Sequence, residues 1–245
     1  MNALFISDLH LSEERPHTTA AFFAFLAEKT RGVEQLYILG DFFDAWIGDD
    51  DDRPLAEAVA NALHAVTARG VKIFFQHGNR DFLLGEQYAA RCGMQLLPAL
   101  SVIEDSAQHI LLAHGDQFCT QDVAYQQFRA LVRNPQWQRE FLAKSLAERR
   151  AIAAQLRAKS KEANSIKAED IMDVTPAEVI DALEKHQCTV LIHGHTHRPA
   201  RHAITLAHGM QAERIVLSDW AEQYGYLQWK EGAAELLWEC APATR

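Results

Sequence analysis

Short apolar runs, each closing on a polar cluster, recur along the chain. ALFIS precedes Asp8, LYIL precedes Gly40, VKIFF precedes His77, HILLA precedes His114 and TVLI precedes His193. Runs of this length, rich in β-branched and aromatic residues, read as buried strands. Between the first three lie patterns with helical spacing, near Thr18 to Lys29 and Leu55 to Ala68. The opening therefore predicts a βαβαβ order, and with it an α/β layered domain around a largely parallel sheet. Further on, ERIVLSDW, YGYLQWK and AAELLWEC predict three more strands that extend or face this sheet, the last two joined by a short turn at Glu231-Gly232.

Residues 121–174 break the rhythm. No strand pattern occurs there, and Phe128, Leu131, Trp137, Phe141, Leu142, Leu146, Ile152 and Leu156 recur at loosely helical spacing. We expect a helical insertion at 121–174 in a core formed by 1–120 and 175–245. From Arg133 to Lys167 it holds nine Lys and Arg against three Glu. It reads either as a solvated cap or as a lid with an apolar surface and a basic rim.

Composition narrows the class. At 245 residues the chain is long enough to bury a real core, and a hydrophobic share of 48% with 23% charged residues is that of an ordinary globular protein. A net charge of −9 lacks the basic footprint of a nucleic-acid coat, so no nucleic-acid partner is expected. Cys92, Cys119, Cys188 and Cys240 form no C-x-x-C pair and read as reduced packing thiols. The N-terminal MNALFISDLHL has no basic segment or cleavage site of a signal peptide. No apolar run approaches the ~20 residues that span a bilayer. A cytoplasmic protein, or one bound to a membrane surface from that side, is expected.

The polar clusters carry the chemistry. They are Asp8-Leu9-His10, Gly40-Asp41-Phe42-Phe43-Asp44, Gly78-Asn79-Arg80-Asp81, His114-Gly115-Asp116 and Gly194-His195-Thr196-His197. The carboxyl ends of strands line the ligand crevice of open α/β sheets, which predicts that the five converge. Carboxylate, imidazole and amide oxygen without thiolate suit hard or borderline divalent metals. On an extended chain Asp8 and His10 would point to one side, and so would His195 and His197. Gly40, Gly78 and Gly194 fit turns where a bulkier residue would block backbone approach.

The set D-x-H, G-D-x-x-D, G-N-x-D, a strand-end His-Gly and G-H-x-H, in this order from Asp8 to His197, resembles the calcineurin-like metallophosphoesterase family. The resemblance implies a β-sandwich flanked by helices and two divalent metal ions at the strand ends. Asp8, His10, Asp41 and His197 would hold one ion, and Asp41, Asn79, His114 and His195 the other, with Asp41 shared. Two ions about 3.5 to 4 Å apart can share a water, make it hydroxide near neutral pH and neutralise phosphoryl oxygens. Asp41, Asn79, Arg80 and His114 are the catalytic candidates. The family pattern passes over His193, which reads as structural or as a support behind a ligand. His17, His64, His77, His109, His186, His202 and His208 have no motif support and read as surface or packing residues.

Where the family commonly has G-N-H-D, this chain has Gly78-Asn79-Arg80-Asp81. The histidine of that motif is usually assigned to protonate the leaving oxygen, and arginine, with a pKa above about 12, cannot. An alkoxide leaving group benefits from such an acid; a phosphate, whose last ionisation lies near a pKa of about 6, does not. Arg80 instead offers a fork of donors to phosphoryl oxygens, unless it merely pairs with Asp81 or another acid. The balance favours pyrophosphate cleavage.

Ser160, Asn164 and Lys167 fall at i, i+4 and i+7, on one face of a helix. Taken alone they could be a solvated polar stripe. Together with G-N-R-D, A-W-I-G-D-D-D, I-M-D-V-T-P and H-G-H-T-H-R-P-A, the chain resembles the branch of the family that acts on UDP-2,3-diacylglucosamine in lipid A biosynthesis. That resemblance implies attack of a metal-bridging hydroxide on the α-phosphorus, giving UMP and 2,3-diacylglucosamine 1-phosphate, with Mn²⁺ as the favoured ion. It implies substrate contacts from Asn79, Arg80, Asp122, Ser160, Asn164, Lys167 and His195, and a peripheral place on the cytoplasmic side of the bacterial inner membrane. Phe42 and Asp44 depart from the Leu and Glu common in close relatives. Apolar lid residues would line an acyl groove, and lid cations would meet phosphates or the anionic leaflet. No obligate protein partner is expected. The alternatives are a broader nucleotide-sugar or cyclic-nucleotide phosphohydrolase and a non-enzymatic scaffold.

Overall fold

Side-chain alternation along β1 (Asn2–Ile6) sets the layering. The computed structural model describes residues 1–106, 108–165, 171, 173–221 and 223–240, without the side chains at 159, 161–165, 208 and 240. Ala3 and Phe5 turn into a core shared with Tyr37, Ile110, Ile192 and Trp229. Leu4 and Ile6 turn the other way, to Phe22, Phe25 and Leu63 of the flanking helices. Both faces of the strand are covered, so it reads as a continuous apolar run rather than an alternating one.

The first sheet adds β2 (Gln35–Leu39), β3 (Lys72–Gln76) and β4 (Met94–Leu96) in parallel on one side of β1. On its other side lie β10 (Gln223–Lys230) and β11 (Ala233–Cys240), antiparallel. The second sheet runs β5 (Leu100–Asp105), β6 (Gln108–Ala113), β7 (Val190–His193), β9 (Gln211–Val216) and β8 (Ala200–Thr205). The two sheets face each other across the core that contains Phe5 and Trp229. Helices α1 (Pro16–Glu28), α2 (Pro54–Thr67) and α3 (Glu86–Cys92) cover the outer face of the first. Val179, Ala182 and Leu183 of α7 (Pro176–Lys185) cover Leu111 and Leu191 on the second. The fold is thus a β-sandwich flanked by helices, as expected.

The tail strands divide between the sheets. ERIVLSDW supplies β9 of the second, whereas β10 and β11 extend the first as a hairpin. Glu231 and Gly232 both take positive φ, 53° and 80°, the backbone that a two-residue hairpin turn demands. Strands β5 and β8 show no apolar run because both are sheet edges with half-exposed alternating side chains; β4 is too short to show a period, and α3 and α7 are further helices outside the predicted ones. Among the described side chains, Cys92, Cys119 and Cys188 are buried thiols, in line with packing.

Within 121–174 the chain forms α4 (Val123–Val132), α5 (Pro135–Leu142) and α6 (Leu146–Ser165). Asp122 caps α4 by accepting from the Tyr125 N–H at 3.1 Å, and Asn134 caps α5. Phe141 joins the core on the outer face of the first sheet, with Trp137, Leu146, Ile152 and Ala153 packed against it. The basic face of α6 is turned partly inward, which modifies the expectation of a basic rim. Arg149 donates to the Ile47 carbonyl at 2.7 Å and pairs with Asp50; Arg150 pairs with Asp52 and Arg157 with Asp44. Arg133 donates to the Gly78 carbonyl at 2.9 Å. The acidic run 44–52 is therefore the seat of the helix.

Candidate active site at the strand ends

Five strand ends deliver the motif residues to one place: Asp8 after β1, Asp41 after β2, Asn79 after β3, His114 after β6, and His195 with His197 after β7. The backbone there is not extended. Asp8, His10, Asp41, His195 and His197 have φ of 56°, 49°, 49°, 68° and 54°. The extended-chain argument for Asp8 with His10, and for His195 with His197, is therefore corrected: left-handed turns, not strand pleating, aim these side chains. Such residues cost of order 1 kcal/mol or more each and persist where the surroundings fix them. Here the Asp8 N–H donates to the Gly40 carbonyl at 3.0 Å, and the His10 N–H to that of Asp41 at 2.9 Å.

The glycines behave as expected. A Cβ at Gly78 would lie 2.2 Å from the Asp41 backbone N and Oδ1, and one at Gly194 would lie 2.2 Å from Asp8 Oδ2. The turns approach one another so closely that no side chain fits between them.

All seven ligand candidates meet. Asp8 Oδ1 is 3.3 Å from His197 Nε2, and His197 Nε2 is 3.4 Å from His10 Nε2. Asp41 sends Oδ2 toward His10 Nε2 at 3.9 Å and Oδ1 toward His114 Nε2 at 3.7 Å. Asn79 Oδ1 lies 3.0 Å from His114 Nε2 and 2.9 Å from His195 Nδ1. The ligand atoms of Asp8, His10 and His197 all lie within 4.8 Å of one another, and so do those of Asp8, Asp41 and His114. Asp41 faces both groups, but Asp8 stands in both as well, a sharing that the sequence motifs did not suggest.

This donor set fits divalent cations. His114 Nδ1 donates to the Leu39 carbonyl at 2.8 Å, so in the neutral ring the Nε2 lone pair faces the oxygens of Asn79 and Asp41. Burial pushes His10 down to about 3, and burial with the charge of His114 pushes His195 down to about 4; both are neutral imidazoles able to coordinate. Burial raises Asp41 to about 7, with Asp81 and Asp8 adding to the shift and His114 and Arg80 opposing it. For Asp8 burial works the other way from the net result: contact with His197 and the charges of His114, His197 and His10 hold it well below the usual carboxylate range. Buried acceptors and imidazoles at these separations call for a cation.

Asp81, whose role the motif left open, is fully buried. Its Oδ1 accepts from the Gly78 N–H at 2.8 Å and its Oδ2 from the Phe42 N–H at 2.7 Å, which ties the Asp41 turn to the Asn79 turn. Its oxygens are thus committed to backbone donors rather than to Arg80. The Arg80 backbone N–H donates to Asp41 Oδ1 at 2.8 Å, and among the described residues its buried side-chain Nε has no acceptor. His193 is buried, with Nδ1 donating to the Gly194 carbonyl at 2.8 Å, in line with a structural residue. His77 packs edge-on against Phe75 and bonds the Leu84 carbonyl.

Beside this cluster opens a cavity of about 500 Å³. Phe82, Tyr125, Phe128, Trp137, Phe141 and Leu156 give it an apolar wall, and Asn79, Arg80, Asp122, Ser160 and His195 provide polar groups. The side chain of Asn164, and Lys167 altogether, lie outside the described residues. Tyr125 has no place in the motifs. Its ring centroid is 5.9 Å from that of His195 and its hydroxyl donates to Asp116 Oδ2 at 2.6 Å, where Arg129 also donates at 2.8 Å. The signal was present in the i, i+4 spacing of Tyr125 and Arg129 and in an acid two residues beyond His114, but it needed the fold to join them.

Comparison with known proteins follows the same lines. Proteins named UDP-2,3-diacylglucosamine hydrolase are similar to this chain over most of both lengths. That of Cellvibrio japonicus is 58% identical over 223 residues, 91% of this chain and 92% of the relative. That of Marinobacter nauticus is 54% identical over 228 residues, 93% of each. That of Escherichia coli O7:K1 is 53% identical over 220 residues, 90% of this chain and 91% of the relative. The family model described as calcineurin-like phosphoesterase matches residues 1–199, the stretch that contains every one of the converging strand ends, and the chain belongs to that family.

Proposed function

We propose that the protein hydrolyses the pyrophosphate bond of UDP-2,3-diacylglucosamine, with water attacking the α-phosphorus, to release UMP and 2,3-diacylglucosamine 1-phosphate. The observation that carries this reading is the cavity, which joins the cluster of metal-type donors and Arg80 to an aromatic wall fit for acyl chains. The names of the relatives support it.

Asp8, His10, Asp41 and His197 would hold one divalent ion, and Asp41, Asn79, His114 and His195 a second; nitrogen and oxygen donors suit Mn²⁺, Fe²⁺ and Zn²⁺ alike, and we take Mn²⁺ from the family resemblance. When bound, such a pair supplies an activated water and neutralises phosphoryl charge. Arg80 binds the phosphoryl oxygens and, because it keeps its proton, neutralises rather than donates. Asp122, Ser160, Asn164, Lys167 and His195 contact the glucosamine and its phosphate. Residues 121–174 act as a lid that selects the lipid. The test is hydrolysis in oxygen-18 water followed by phosphorus NMR. Label is expected in UMP, and label in the lipid phosphate would overturn the site of attack.

Among the described residues no helix is long and apolar enough to cross a membrane. We propose peripheral contact with an anionic leaflet through α4 and α5, where Val123, Leu131 and Leu142 are exposed near Arg139 and Lys144. The protein should pellet with anionic vesicles at low salt and come off as salt rises. If it stays in the supernatant at low salt, the idea is wrong.

A further inference from the structure

Arg157 stands three residues before Ser160 on α6, on the same helix face, and both line the cavity. The Arg157 guanidinium pairs with Asp44 Oδ2, while Asp44 Oδ1 stands 4.0 Å from His10 Nδ1. Asp44 is the last acid of the G-D-F-F-D turn that carries Asp41, so this pair joins α6 to the ligand cluster itself.

The pair differs from its neighbours on the same helix. Arg149 is 3% exposed and bound to both the Ile47 carbonyl and Asp50, and Arg150 pairs with Asp52. Of these two cations only Arg149 is buried, the Arg150–Asp52 pair being 43% and 66% exposed, and none of the four charged groups lines the cavity. Arg157 and Asp44 both do. The Arg157 side chain is 42% exposed, and ion pairs with this much access to solvent are weakly held. The cavity also holds Arg80, whose Nε is buried without an acceptor among the described residues. A guanidinium binds phosphoryl oxygens bidentately as it does a carboxylate, and a diphosphate presents more of them, and more charge, than one carboxylate.

We infer that Asp44 and Arg157 form an exchangeable pair. In the ligand-free protein Asp44 holds the guanidinium at the cavity; a diphosphate ester entering the site takes it over, and Arg157 turns to the phosphoryl oxygens together with Arg80. Arg157 is then a substrate-binding residue, and Asp44 a positioning residue that sets its availability. The inference rests on the pyrophosphate reading for the class of ligand.

The probe is UDP-N-acetylglucosamine, a diphosphate diester without acyl chains, titrated calorimetrically into the full-length, manganese-loaded protein, with metal content measured for every variant. Arg157→Ala should weaken binding roughly ten- to a hundredfold, the loss of a charge-assisted pair, and Arg157→Lys should fall between. Asp44→Asn, which removes the competing carboxylate, should tighten binding several-fold, and the double variant should match Arg157→Ala. Unchanged affinity in Arg157→Ala overturns the inference. So does an Asp44→Asn protein that keeps its metal yet binds as weakly as Arg157→Ala, because a mere tether of α6 would make both losses alike. Should Asp44→Asn lose metal, the two Arg157 variants decide alone. Failure of the wild type to cleave UDP-2,3-diacylglucosamine would sink the proposed function, while the affinity ratios among variants would still decide the exchange.

Discussion

Asp41→Asn should lower turnover by at least about a thousandfold while leaving the protein folded. Asparagine keeps the shape that accepts the Arg80 N–H but removes the charge that faces both ligand groups. Metal-derived charge stabilisation is worth several kcal/mol, and each ~1.4 kcal/mol is tenfold in rate. Metal content should fall below two ions per chain. A thermal signature accompanies the loss. Burial, together with Asp81 and Asp8, raises Asp41 to about 7 in the metal-free fold. With the folded value above the unfolded one, its contribution to stability is full below the unfolded carboxylate range and is lost as pH rises toward 7. At pH 8 the metal-free Asn variant should therefore melt above the metal-free wild type, and the order should reverse once manganese is added. Retained turnover would sink the shared-ligand assignment.

Arg80→Ala should cost about a hundred- to a thousandfold in kcat/KM on the diphosphate, the scale of one preorganised donor lost. Metal content should not change, because Arg80 supports Asp41 through its backbone N–H rather than its side chain. Arg80→His should remain weak on the diphosphate, with any gain confined to diesters whose leaving groups need a proton. Near-wild-type cleavage by Arg80→Ala would show that the guanidinium does not meet the phosphoryl group.

These residues could be read from sequence because the interior strands are buried on both faces, so each apolar run ends sharply where its motif begins. Edge strands β5 and β8 gave no such run, since half of their side chains face solvent. The left-handed backbone at Asp8 and His197 was also hidden, because neither residue type announces a turn as glycine does. Charge counting correctly found a basic segment but not its partners. Arg149 and Asp50 are 99 positions apart, and composition carries no information about pairing at that distance. Ser160 lines the cavity as its helical spacing suggests, whereas Tyr125, which meets His195 directly, belongs to no motif and reaches the site only through the fold.

The His195 N–H donates to Asp8 Oδ2 at 2.9 Å across 187 positions of the chain. The entropic cost of closing so long a loop rises only with the logarithm of its length, so the separation is affordable; its consequence is one of timing. During synthesis Asp8 emerges 187 positions ahead of His195 and waits, its cluster incomplete, until the segment after β7 has left the ribosome. Any ion that needs the whole set must be acquired after that segment has emerged, and a nascent chain stalled before His195 cannot hold it in this way.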